Sequence, residues 1–184
     1  REFTAWEGAV LPSEVFLRLR EGDDAGWPYH YYDQIKKGYY LNPEYGGDGE
    51  KQGDISKLTE PVVGFPGHFA PNDLLFYEGD QFPDRYRNGA FIAFHGSTSS
   101  SPYPQSGYFA KYRPMGLAVG PDGSLYVSDS KVGKIWRIMY KGNKADFGSS
   151  QLAAMDKRKR TATNIKTPDE KEDILVPDGY FGEV

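Results

Sequence analysis

The chain of 184 residues has no cysteine. That removes disulfide frameworks, thiolate nucleophiles and cysteine-ligated zinc, and leaves the compartment open, because a secreted protein can do without cysteine. Long hydrophobic runs are missing as well: no apolar stretch approaches the roughly 20 residues that a membrane-spanning helix needs. Histidine occurs only at His30, His68 and His95, without a spacing diagnostic of zinc. No GxSxG, HExxH, P-loop or helix-opening GxGxxG is present, so the common hydrolase, metalloprotease and nucleotide signatures are absent. Neither charge sign is in large excess. The 22 Lys and Arg against 26 Asp and Glu leave a formal charge of −4, which argues against broad nucleic-acid binding. The chain opens on Arg1 with no signal-like apolar stretch and reads as a mature form, a fragment or a trimmed chain.

What is abundant is aromatic side chains and chain-turning residues: 14 Tyr, 11 Phe and 3 Trp, with 22 Gly and 13 Pro. Aromatic residues favour half-buried strands, and Gly and Pro punctuate tight turns, so the composition predicts an all-β chain. The clearest segment is RPMGLAVGPDGSLYVSDSKVGKIWRIMY, from Arg113 to Tyr140. Met115–Val119, Ser124–Ser128 and Lys134–Met139 read as three antiparallel strands, joined by turns at GPDG and DSKVG. Leu125 and Val127 share one face with Tyr126 on the other; Ile135, Arg137 and Met139 oppose Trp136 and Ile138. Glu14–Arg20, Val62–Phe65, Leu74–Tyr77 and Ala90–His95 are further strands, and Gly26–Asp33 reads as extended. A meander with PDG in one corner resembles a β-propeller blade, although any β-meander shares that pattern. At about 40–45 residues per blade, about four blades fit at most.

Residues 149–161 predict a helix, capped by Ser149 or Ser150 and ending in Lys157-Arg158-Lys159-Arg160. That cluster is read as a solvated helix end, with an acidic partner as the sharper alternative. Residues 1–140 are thus expected as blades and 141–184 as a helical tail and linker. Asp23, Asp24 and Asp48 sit in Gly-rich loops that could hold Ca2+ but match no EF-hand, so they read as solvated loops.

Four stretches occur in the order of a known family: GWPYHYYD, FPGHFAPNDLLFY, FPDRYRNGAFIAFHGS and YRPMGLAVGPDGSLYVSDSKVGKIWRI. The chain resembles the soluble sugar dehydrogenases of the glucose/sorbosone type that use pyrroloquinoline quinone (PQQ). The resemblance implies the C-terminal blades of a six-bladed propeller, with PQQ and Ca2+ at the hub and a periplasmic or secreted location. It implies oxidation of aldoses or related polyols by hydride transfer to the quinone. A carboxylate-rich cofactor needs cationic donors, and Lys111 and Arg113 match the family's basic pair. His68 and His95 fall at positions lining the cofactor side, and Glu7-Gly8 falls where the family has a metal-side turn, with Glu in place of Gln. The family's catalytic base belongs to an earlier blade, upstream of Arg1, so the chain alone is expected to be inactive and to need N-terminal blades, or another chain, to complete the ring. Two departures stand out: HGS continues as Thr98-Ser99-Ser100-Ser101, without the family's Arg, and Gly107-Tyr108 joins Lys111-Tyr112 with little chain between. The alternatives are a non-catalytic propeller that binds carbohydrate or protein, with Tyr29–Tyr32 and Tyr39–Tyr45 stacking on sugar rings, and a lactonase-like hydrolase, for which no carboxylate set is evident.

Overall fold

In the computed structural model, residues 7–96 and 110–148 are described. They fall into two units, 7–68 and 69–148, a division that lies inside the stretch 1–140. The predicted helix over 149–161 and the residues 97–109 lie outside the described residues.

The first unit holds one helical turn, α1 (Glu7–Val10), and four short strands: β1 (Glu14–Phe16), β2 (His30–Asp33), β3 (Gly38–Leu41) and β4 (Val63–Phe65). β1 pairs antiparallel with β4 and β2 with β3, giving two separate two-stranded sheets. The β2–β3 hairpin closes because Asp33 Oδ1 accepts from the N–H groups of Ile35 and Lys36, at 2.8 and 3.0 Å, an Asx turn written into the sequence. Its register sets Tyr31 against Tyr40 and Tyr32 against Tyr39, so tyrosine supplies the cross-strand contacts. Tyr39 is buried and donates its hydroxyl to Thr59 O at 2.7 Å; burial first, then the Glu60 carboxylate, pushes that phenol up to about 12.

The second unit holds β5 (Pro71–Tyr77), β6 (Gly89–Phe94), β7 (Pro114–Val119), β8 (Leu125–Asp129) and β9 (Lys134–Ile138). β5 and β6 form a hairpin; β7, β8 and β9 form the three-stranded meander expected from the sequence. Its first turn works as the residue types demand: Gly123 takes φ +78°, and Asp122 accepts from the Ser124 hydroxyl at 2.6 Å. The faces fall as the alternation predicts, with Val127 opposite Trp136 and Tyr126 opposite Arg137. β5 and β7 are joined by side chains and not by a ladder: Asp73 Oδ2 accepts from Leu117 N at 2.7 Å. Tyr77, Phe82 and Leu125 form the buried core, with Leu75, Phe91 and Val127 packed on it. β9 is the edge of its sheet among the described residues, and all five of its residues are exposed.

The architecture is therefore all-β, built of four small antiparallel sheets. Several boundaries differ from expectation. The alternation of Glu14–Arg20 continues past Phe16, but the strand stops there, because the partner β4 is three residues long and Asp23 draws Arg20 N into a turn at 2.8 Å. Gly26–Asp33 is extended only from His30; before it the chain turns, closed by His30 N donating to Gly26 O at 2.8 Å. β3 was not anticipated as a strand at all. No helix among the described residues is long and apolar enough to cross a membrane.

Candidate functional site

Strand β7 begins in a stretch rich in cations and aromatics, Ala110-Lys111-Tyr112-Arg113. Asp129, at the end of β8, organises it. Its Oδ1 accepts from the backbone N–H groups of Lys131, Val132 and Arg113 at 2.9, 3.1 and 3.3 Å, and its Oδ2 from Trp136 Nε1 at 3.4 Å. Burial pushes the Asp129 carboxyl up, but these donors, Val132 N–H foremost, outweigh burial and hold it below the usual carboxylate range. The carboxylate therefore stays ionised on neutral donors and forms no direct ion pair with a cation among the described residues.

Arg113 and His95 meet as a pair. The guanidinium donates from Nε to His95 O at 3.1 Å, and from Nη2 to Gly96 O at 2.7 Å and to His95 Nδ1 at 2.8 Å. A guanidinium has only donors, so Nδ1 is the acceptor and the proton sits on Nε2, which donates to Ser130 Oγ at 2.8 Å. Both ring nitrogens are engaged, and His95 in this arrangement ties the end of β6 to the β7 entry and the β8–β9 turn instead of offering a free base. Lys111 is exposed, its Nζ 5.5 Å from the Tyr112 ring centroid. Lys131 donates from Nζ to Ala110 O. Lys111, Arg113 and Lys131, the last reaching Ala110 from the β8–β9 turn, therefore gather around residues 110–113, and none has a carboxylate partner among the described residues.

Beside these cations an apolar groove of about 290 Å³ opens on the meander, lined by Tyr112, Pro114, Val127, Asp129, Trp136 and Ile138. Tyr112 and Trp136 meet edge to face at 5.4 Å. The groove joins a flat aromatic lining to flanking positive charge, a combination suited to a planar anionic ligand.

The other residues singled out from sequence lie in the first unit. His68 sits at φ +66°, a left-handed conformation costly for a side-chain-bearing residue, and its Nε2 bonds Gly8 O at 2.9 Å. The Gly8 carbonyl expected on the metal side thus already has a partner. Glu7 opens the α1 turn, its carbonyl accepting from Leu11 N at 2.7 Å. Among the described residues no group of three or more His, Asp or Glu is placed to hold a metal ion. Sequence reading missed Asp129, Ser130 and Lys131. They form the DSK turn between two strands, and the signal that Asp129 also organises a site was Arg113, three residues before β7's Gly116-Leu117, which only the fold brings beside it.

Comparisons with known proteins add little. No protein-family model matches the chain, and no solved structure matches it. A curated protein of Borreliella burgdorferi that carries the name "Uncharacterized protein" is 28% identical over 159 residues; the match covers 71% of this chain and spans about 40% of that relative's length.

Proposed function

We propose that this chain contributes the cofactor-facing blades of a propeller dehydrogenase that oxidises an aldose or related polyol with a carboxylated quinone of the PQQ type as hydride acceptor. The observation that carries the reading is the juxtaposition of three carboxylate-free cations, Lys111, Arg113 and Lys131, with the aromatic groove of Tyr112 and Trp136. Lys111 is the mobile donor to a cofactor carboxylate. Arg113 acts differently: three of its donor contacts lock it to β6, which leaves Nη1 and the net charge for the ligand. His95 and Ser130 hold that guanidinium in place, so their part is positioning. When bound, the quinone supplies the hydride acceptor; this chain's residues bind and orient it, and a proton-accepting base comes from elsewhere in the complete protein. The loss of the Arg after HGS removes one cation, and Lys131 offsets it.

Quinone titration of the chain, followed by tryptophan emission, tests the binding half of this reading. Saturable quenching, weakened about tenfold or more in Lys111→Glu, is expected for a charge-assisted contact of about 1.5–3 kcal/mol. Dye reduction across a sugar panel by the complete protein, reconstituted with quinone and Ca2+, tests the catalytic half. Absence of both quinone binding and turnover would end the assignment.

A further inference from the structure

The first unit carries an aromatic surface of its own. Trp27 is 77% exposed, Tyr29 58% and Tyr45 44%, an unusual concentration of bare rings. They are not loosely held. Tyr29 and Tyr45 meet edge to face at 4.8 Å. The turn Trp27-Pro28-Tyr29 and the turn around Tyr45 are stapled by the buried Asn42, whose side-chain amide donates to Pro28 O at 2.7 Å, whose backbone N–H donates to Tyr29 O at 2.8 Å, and whose carbonyl accepts from Tyr45 N at 2.9 Å. Ordering these rings outward forgoes apolar burial, so the fold holds them there at a cost in stability.

The surroundings narrow the occupant. Residues 21–50 contain seven carboxylates against two cations, Lys36 and Lys37, an acidic balance that disfavours polyanions: nucleic acid, anionic lipid and acidic glycans. Those carboxylates are no strong cation trap either, because most are engaged. Asp24 accepts from Gly26 N, Asp33 from Ile35 and Lys36 N, Asp48 from Glu50 and Lys51 N, and Glu50 pairs with Lys36. What remains is ring faces with polar tips: the Trp27 indole N–H and the hydroxyls of Tyr29 and Tyr45 have no partner among the described residues. Stacking faces flanked by neutral hydrogen-bonding groups suit the C–H face and the hydroxyl rim of a pyranose.

We infer that Trp27, Tyr29 and Tyr45, in the first unit, form a binding platform for a neutral glycan chain that needs no redox cofactor. Affinity electrophoresis of the full chain in gels containing a soluble β-glucan, a xylan, a mannan or amylopectin tests it. At least one glycan should retard the wild type, equally in 0.5 M NaCl. Trp27→Ala and Tyr45→Ala should each weaken retardation about fivefold, while Trp27→Phe retains most of it and Ile135→Ala, an exposed residue of the other unit outside the groove lining, changes nothing. Melting temperatures within about 3 °C of wild type would show that the variants fold, since exposed substitutions rarely unfold a domain. The inference is overturned if no glycan retards the chain, if Trp27→Ala and Tyr45→Ala bind as wild type, or if only poly-lysine binds and salt abolishes it, which would make the surface a site for basic segments. Quinone titration reads the groove separately, so failure of either proposal leaves the other standing.

Discussion

Tyr77→Phe removes one oxygen from the centre of the second unit, and its effect can be worked from the hydrogen bonds. Tyr77 is fully buried; its hydroxyl donates to Gly123 O at 2.9 Å and accepts from Gln81 N at 3.0 Å and Phe82 N at 3.3 Å. Phenylalanine keeps the ring and its edge-to-face contacts with Phe82 and Phe91, so apolar packing is conserved and only polar satisfaction is lost. Two full-strength bonds at about 1 kcal/mol each, with a smaller share for the longer Phe82 contact, give about 2–3 kcal/mol. With a urea slope of about 1.5 kcal/mol/M, the midpoint should fall by about 1.3–2 M. The assay is urea unfolding followed by Trp136 emission in a Trp6→Phe, Trp27→Phe background, which restricts the signal to this unit. Tyr126→Phe is the control, because the Tyr126 hydroxyl has no partner among the described residues, and it should move the midpoint by less than about 0.3 M. A Tyr77→Phe shift no larger than that of the control would refute the argument that this hydroxyl joins the 78–82 turn to the β7–β8 turn.

Three further outcomes follow from particular contacts. Gly47→Ala should abolish the near-ultraviolet circular dichroism of the first unit's tyrosines, because a Cβ there would meet the Leu41 carbonyl oxygen at 1.9 Å, backbone that cannot step aside. Asp122 is held at about 2 by the Ser124 hydroxyl first and then Arg137, against an ordinary value of 3.8; its stabilisation is complete above about pH 4 and lost as pH falls toward 2. Asp122→Asn should accordingly narrow the difference in melting temperature between pH 5 and pH 2.5. Long-range 1H–15N spectra should show His95 as the Nε2–H tautomer at neutral pH, and Ser130→Ala should leave the Arg113-bound Nδ1 an acceptor; a dominant Nδ1–H tautomer in the wild type would contradict the geometry.

The legible parts of the fold were those governed by neighbours in sequence. GPDG and DSKVG predicted their turns because Pro, Gly and Asp act on the backbone within a few residues, and the alternation of Leu125–Asp129 and Lys134–Ile138 named the faces that the register then showed. The errors occurred where pairing decided. Glu14–Arg20 has a strand's alternation but a partner for only three residues, and Gly38–Leu41 became a strand because Tyr31 and Tyr32 lay across from it. The candidate site was half legible. Lys111 and Arg113 were singled out by motif, yet nothing local announced that Arg113 would be locked to His95, 18 residues away, or that Asp129 would be consumed by backbone donors.

By itself, then, the sequence determined an all-β chain without thiol chemistry, the positions of its tight turns, and the alternation of its clearest strands, since these depend on residue type and short-range geometry. Only the tertiary structure decided which tyrosines are buried cross-strand contacts and which stand bare, and which cations pair with a carboxylate. Burial and hydrogen-bond partnership are set by residues distant along the chain, and no local pattern encodes them.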